Sequence, residues 1–578
     1  MSKISPTSPR ACAPSSASHL VVDVSSLWGW WVRQWGAPRS PQTVVLVLSL
    51  WLVCAGNLAF WHKLGQIPEV ADPYGVLHLQ LGALIFGGTA FFLSWFAWPR
   101  YMKPVWGVFM LVAAVAQHFM LEYGIFIDKS MVMNVVQTNL SEARDLLGWH
   151  LAANVLLVAG LPLWWLARVS ITARSAWINV ARTGLLFALS LGATLGGGLV
   201  MYRELAPLMR NNVELRFLIN PLSSVVAGST AVLKPLFKRS RPFVPISAGA
   251  ALGASYAAQA RPPLLVLVVG ETARSDHFGL NGYPRNTTPE LAARGVLSWR
   301  NVHSCGTNTL ASVPCMFSHL AKAEYEGRHA DYENLLDVLQ SSGLAVLWID
   351  NQSGCKGVCD RVTIASTSDS LQTPEGRALC QGGECLDEIM LRDLDERIAL
   401  LPDDKSRNGV VVVMHQMGSH GPAYYRRSSP ETKPFQPECT THALADCKKD
   451  ALINVYDNSI AYTDHFLAKT VDWLQQHKAR HDVAMLYMSD HGESLGEYGL
   501  FLHGVPYALA PAVQKHVPMV LWTGSLTARS GVDPQCLSHG LDAALTHDNL
   551  YHTVLGMLDV TTSTYKRDLD AFMNCRAR

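Results

Sequence analysis

The chain has 578 residues, 49% of them hydrophobic and only 16% charged, with a formal net charge of +1. That is too apolar for an ordinary soluble chain of this length. A net charge of +1 says nothing about nucleic acid, and no basic stripe argues for a nucleic-acid partner.

In chain order, residues 1–42 are polar and rich in Ser and Pro, too polar for a cleaved signal peptide, and read as a cytoplasmic tail before a retained anchor. Five apolar segments follow at roughly 43 to 63, 75 to 98, 104 to 126, 148 to 167 and 181 to 201, each close to the ~20 residues that cross a bilayer as a helix. Buried core helices are the alternative, but five such runs in succession, several with Trp or Tyr near their ends, predict a membrane domain over 43–201. Arg33 and Arg39 precede the first span, Arg100 and Lys103 join the second to the third, and Arg168, Arg174 and Arg182 join the fourth to the fifth. The opposite loops hold Glu69 and Asp72, then Glu122, Asp128, Glu142 and Asp145. Basic loops face the cytoplasm, so an odd number of spans delivers the C-terminal part to the outside.

Within "MNVVQTNLSEARDLL", Asn134, Thr138 and Glu142 recur at four-residue steps and would share one helix face. Residues 202–260 mix apolar and basic residues, with breakers at Pro221 and Pro242, and read as amphipathic bridging segments on the membrane surface. No internal repeat or intramembrane charge cluster speaks for a transporter.

Residues 261–578 read as a globular domain of alternating strands and helices. "PLLVLVVGE", "LAVLWID", "GVVVVMHQMGSHG" and "VAMLYMSDHGES" are short apolar runs that end in polar residues or glycine, the pattern of parallel strands covered on both faces. Ligand sites in open α/β sheets lie beyond the carboxyl ends of such strands, so Glu271, His420, Asp490 and His491 could converge.

Of the twelve cysteines, ten lie beyond residue 300, which agrees with an oxidising compartment. Eight fall into close pairs: Cys305 with Cys315, Cys355 with Cys359, Cys380 with Cys385, and Cys439 with Cys447. Cys536 and Cys575 are left as a candidate long-range pair, because spacing does not fix connectivity. "CKGVC" could open a zinc knuckle, but no second pair has the matching spacing, so disulfides are expected.

Glu271, Asp490 and His491 offer two carboxylates and an imidazole, a set that suits Zn²⁺ with one position left for a reacting oxygen. Thr309, in "SCGTNTLASVPCMFS", would fill it, with a helix starting after Thr309 to present its N-terminal amides to an anion. A staple from Cys305 to Cys315 would fix that loop.

The motifs "VVGETARSDHFGLNGYPRNTTPEL", "CGTNTLASVPCMFS", "ENLLDVL", "DNQSGCKGVCDR", "HQMGSHGPAY" and "YMSDHGESLGEYGLFLHG" resemble those of the lipid A phosphoethanolamine transferases, the family of the colistin-resistance enzymes. With the spans before them, the resemblance covers nearly the whole chain beyond about residue 43. It implies five transmembrane helices followed by an alkaline-phosphatase-like (sulfatase-like) α/β domain in the periplasm of an inner-membrane enzyme. It further implies transfer of phosphoethanolamine from phosphatidylethanolamine to lipid A; membrane lipids are also expected partners, nucleic acid is not, and the chain is expected to be a monomer. Thr309 matches the nucleophile, and Glu271, Asp490 and His491 match the ligands of one tightly bound Zn²⁺. Thr307 is the competing hydroxyl and reads as a structural turn residue. His420 and His503 match residues for a second metal, phosphate contact or proton transfer. Ser353 and Lys356 match the donor head-group site, and Asn134, Thr138 and Glu142 match the segment that cradles the ethanolamine end. A hydrolase, a transferase with another acceptor, and a sensor with an inert globular domain are the competing readings.

Overall fold

The structure is a computed structural model that describes residues 37–67, 75–137, 143–144, 146–172, 174–237, 241–258, 261–367, 373–381 and 384–576. Cys12, Arg33, Glu69, Asp72, Thr138, Glu142 and Asp145, with most of the polar tail, lie outside the described residues.

The N-terminal part is helical: α1 (Pro41–Cys54), α2 (Leu58–Gly65), α3 (Val76–Ser94), α4 (Met102–Glu122), α5 (Lys129–Gln137), α6 (Trp149–Arg168), α7 (Ala176–Val200), α8 (Tyr202–Asn211) and α9 (Leu222–Phe237). Among the described residues, α3, α4, α6 and α7 are each long and apolar enough to span a bilayer. The first expected span is a bent pair, with α1 and α2 meeting at 41°. Its break has a partner in the chain. Asn57 donates to the Leu52 carbonyl at 2.8 Å and the Asn220 carbonyl at 2.9 Å, and accepts the Asn220 N–H at 2.7 Å. This supplies hydrogen bonds that hydrocarbon cannot.

The C-terminal domain is built on an eight-stranded sheet of β1 (Pro263–Gly270), β2 (Leu297–His303), β3 (Ala345–Asp350), β4 (Thr363–Ser366), β5 (Val410–His415), β6 (Asp482–Ser489), β7 (His516–Trp522) and β8 (Leu545–Thr546), ordered β8-β2-β7-β6-β1-β5-β3-β4. The four expected strands are the parallel centre β6-β1-β5-β3. β7 runs against its neighbours β6 and β2. Side chains alternate across each strand, which splits β1 between two cores. Leu265, Leu267 and Val269 pack with α10 (Thr309–Met316), α11 (Leu335–Ser341) and, further along that face, α13 (Asp548–Met557), whereas Leu264, Val266 and Val268 pack with α12 (Lys449–His477). Helices on both faces explain why these strands are apolar throughout.

All four close cysteine pairs are disulfides, and Cys536 is bonded to Cys575. Cys54 is the free cysteine among the described residues. The two parts share packing: Leu500, Val505 and Ala510 from the C-terminal domain belong to one buried cluster with Phe60, Leu64, Leu81, Met120, Leu208 and Leu215.

Candidate active site

The carboxyl ends of β1, β3, β5 and β6 deliver Glu271, Asp350, His415 and Asp490 to one edge of the sheet, with Asp350 paired in register to His415 and Ser489 to Gly270. Glu271, Asp490 and His491 are all fully buried. The turn after β1 is strained, since Thr272 has φ 53°, a conformation few β-branched residues adopt. It is held by the Thr272 N–H donating to Asp490 Oδ1 at 3.2 Å. Gly418, at φ +53°, lies so close that a Cβ would meet the Glu271 carbonyl oxygen at 2.6 Å.

Thr309 is the first residue of α10 rather than the residue before it, with Asn308 as the N-cap. Its Oγ1 donates toward both Glu271 carboxylate oxygens, at 3.3 and 3.2 Å. Thr307 is turned elsewhere: its hydroxyl donates to the Val505 carbonyl at 2.7 Å. Buried His547 ties this loop to the sheet, accepting the Cys305 N–H at 3.1 Å and donating to the Ser489 carbonyl at 2.9 Å. Burial holds it near pKa 4, so it stays neutral.

Three pairs in the cluster are spaced alike. Glu271 Oε2 to Thr309 Oγ1 is 3.2 Å, Glu271 Oε1 to His491 Nε2 is 3.3 Å, and His491 Nε2 to Asp490 Oδ2 is 3.3 Å. A tetrahedron of ligands about 2.0 Å from a cation has edges of about 3.3 Å. His491 Nδ1 donates to the Gly492 carbonyl at 2.9 Å, so Nε2 turns a lone pair toward the carboxylates, and among the described residues neither Nε2 nor Asp490 Oδ2 has a hydrogen-bond partner. Burial, then the Glu271 charge, pushes Asp490 up to about 7, burial raises Glu271, and burial lowers His491. Converging acceptors and desolvated like charges are what a divalent cation relieves. The residues therefore fit a four-coordinate metal.

The other expected residues surround this cluster. The His503 ring lies 4.4 Å from His491 and 5.2 Å from His420. Burial lowers His503, but Glu493, 3.1 Å from its Nδ1, raises it to about 9. Burial and then the His503 charge hold His420 well below the usual range. Lys356, at φ 52°, donates to Ser353 Oγ at 2.7 Å from the loop closed by Cys355 and Cys359. Asn134 lies on α5, where a Cβ on Gly504 would be 3.8 Å from its Nδ2. Thr138 and Glu142, which would continue its face, are outside the described residues.

Sequence reasoning missed several contacts. Gln352 Nε2 donates to Glu271 Oε2 at 3.1 Å. His415 Nε2 lies 3.9 Å from Glu271 Oε2, while its Nδ1 meets Asp350 at 3.2 Å. Burial lowers His415, but Asp350 outweighs this and raises it. Asp350, Gln352 and His415 all stand inside motifs already quoted, and polar residues ending apolar strands were the available signal.

Residues 263–560 match the Sulfatase family, and residues 85–235 match the family described as phosphoethanolamine transferase EptA/EptB. The chain is 36% identical over 547 residues to phosphoethanolamine transferase EptA of Escherichia coli (strain K12), covering 92% of this chain and 97% of that protein. It is 37% identical over 545 residues to phosphatidylethanolamine transferase Mcr-1 of Escherichia coli, again covering 92% and 97%. Among solved structures it is similar to the integral membrane lipooligosaccharide phosphoethanolamine transferase A (EptA) from Neisseria meningitidis, with TM-score 0.87, 33% identity, and coverage of 94% of this chain and 100% of that one.

Proposed function

Because the chain belongs to the EptA/Mcr family of phosphoethanolamine transferases, we propose that it moves phosphoethanolamine from phosphatidylethanolamine to a phosphate of lipid A through a covalent intermediate on Thr309. It is a multi-pass inner-membrane enzyme with a periplasmic catalytic domain. The observation that carries the proposal is the Thr309 hydroxyl against Glu271, inside a cluster whose His491 Nε2 and Asp490 Oδ2 are buried without hydrogen-bond partners among the described residues.

Glu271, Asp490, His491 and Thr309 would hold Zn²⁺, which when bound lowers the pKa of the threonine hydroxyl. In the first step neutral His420 takes the Thr309 hydroxyl proton as Thr309 Oγ forms a bond to the donor phosphorus and the bond from phosphorus to the diacylglycerol oxygen breaks. His503, held protonated by Glu493, gives that oxygen its proton. In the second step a lipid A phosphate oxygen, its proton passing to His503, bonds to the same phosphorus, and Thr309 Oγ leaves with the proton that His420 returns. Neutral His420 is suited to accept a proton, the opposite setting from its neighbour. Lys356 would balance phosphate charge beside Ser353, and the N-terminal end of α10, whose Ala311 amide is already capped by Asn308, would add its dipole toward the same anion. Asn134, with Thr138 and Glu142, would receive the ethanolamine end. The product carries an ammonium where an anion stood, so cationic polymyxins bind the surface less well.

The test is product analysis of purified protein with phosphatidylethanolamine and lipid A. Modified lipid A with diacylglycerol is expected. Free phosphoethanolamine beside unmodified lipid A would mean a hydrolase and contradict the proposal.

A further inference from the structure

The hairpin that ends at His503 carries an unusual density of left-handed backbone. Ser494–Leu495 pairs with Phe501–Leu502, and between and beyond them Gly496, Tyr498, Gly499, Leu502 and Gly504 all have positive φ. Two of these are not glycine: Tyr498 at φ 55° and Leu502, the residue before His503, at φ 63°. Such a segment does not hold this shape by its own preferences and needs outside contacts to fix it.

Part of that hold is internal to the catalytic domain, where Gln514 Nε2 donates to the Leu502 carbonyl at 3.1 Å and the Gly504 N–H donates to the Thr307 carbonyl at 2.7 Å, and the rest comes from the turn that ends α4. The Phe501 N–H donates to the Tyr123 carbonyl at 2.8 Å. Gly124 follows in the left-handed conformation at φ +67°, and a Cβ there would lie 2.5 Å from the Gly499 carbonyl oxygen and 3.2 Å from Leu500 Cα. The membrane helix thus meets the hairpin backbone to backbone, an approach only glycine permits. Leu500 and Val505, on either side of His503, are buried with Met120 and Phe126. Met131 Cε reaches 3.0 Å from the Cβ position of Gly504.

The geometry points to Gly124 as a positioning residue. It lets the end of α4 hold the His503 hairpin by direct backbone contact, so that docking of the two domains adds to the contacts that set how His503 meets the Glu271–Asp490–His491 cluster. This rests on the role given to His503 above.

The test uses full-length protein in bilayers containing phosphatidylethanolamine, with the single-turnover rate of adduct formation read by intact mass. Gly124→Ala is compared with Gly75→Ala, which has a similar φ of +66° but places its Cβ in open space. Gly124→Ala is expected to slow the reaction by on the order of tenfold to a hundredfold, and Gly75→Ala by less than about twofold. Adding Gly124→Ala to His503→Ala should change the rate by less than about twofold, because the group being positioned is gone. Met131→Ala removes a side chain instead of inserting one, and serves if Gly124→Ala does not fold. It should show a smaller loss with the same dependence on His503. Equal rates for Gly124→Ala and Gly75→Ala, or equal losses with and without His503, would overturn the proposal. An unchanged His503→Ala rate would overturn the role of His503 and this inference with it. A parent that forms no adduct would instead refute the proposed function.

Discussion

Replacing Asp387 tests whether the loop against Glu271 is held by one buried carboxylate. Asp387 is 3% exposed and accepts four hydrogen bonds. Asn351 Nδ2 and the Met417 N–H reach Oδ1, both at 2.8 Å, while Gln416 Nε2 at 3.1 Å and the Gly418 N–H at 3.0 Å reach Oδ2. Gly418 lies on the Glu271 backbone, and the Ser419 N–H donates to the Glu271 carbonyl at 3.0 Å. Asp387→Ala orphans four donors at roughly 1–3 kcal/mol each. Burial already disfavours the ionised carboxyl and raises its pKa, so removing the charge returns part of that cost. A net loss of about 4 kcal/mol is expected, or a fall of about 8 °C or more in the unfolding midpoint. Asp387→Asn keeps one oxygen for two donors but turns its amide toward the others, and should lose about half as much. Thermal unfolding of the zinc-loaded, full-length variants followed by tryptophan fluorescence reads this. An Asp387→Ala midpoint within about 2 °C of the parent, or Asp387→Asn worse than Asp387→Ala, would refute the reasoning.

Gln352→Ala removes the amide that orients Glu271 and should weaken zinc binding by about 10- to 100-fold in a chelator competition; unchanged affinity would show that the contact is incidental. Away from the site, His465 sits between Glu290 at 2.8 Å and Glu388 at 3.4 Å, and the hydrogen bond to Glu388 heads the causes that raise it above 6.5. A raised histidine stabilises fully below its unfolded pKa and loses that contribution as pH rises through its folded pKa. Glu388 is the mirror case: burial would raise it, but His465 and Lys469 hold it at about 2, so its contribution is lost only as pH falls below 4.5. The parent should therefore lose melting temperature as pH rises above about 6.5 that His465→Gln does not lose, and parallel profiles would count against the pairing.

The candidate metal cluster was legible because Glu271, Asp490 and His491 directly follow apolar runs, and parallel strands bring such ends together. His415 and Asp350 end the neighbouring runs, yet only the register that pairs them shows that they meet. Asp387 falls in a stretch without strong periodicity, and its four donors come from two distant loops. The reversed direction of β7 was not legible either, because the side-chain alternation of a strand is the same in both directions. Nor was the break between α1 and α2, since Asn57 finds Asn220 163 residues away. Thr307 and Thr309 differ by two residues in sequence, and only the fold sends one hydroxyl to the Val505 carbonyl and the other to Glu271.

The central claim is tested most directly by the intact mass of the protein after incubation with phosphatidylethanolamine, for the parent, Thr309→Ala and Thr307→Ala. A phosphoethanolamine-sized adduct on the parent and Thr307→Ala, absent from Thr309→Ala, is the predicted result. No adduct on the zinc-loaded, folded parent, or an adduct abolished only by Thr307→Ala, would contradict it.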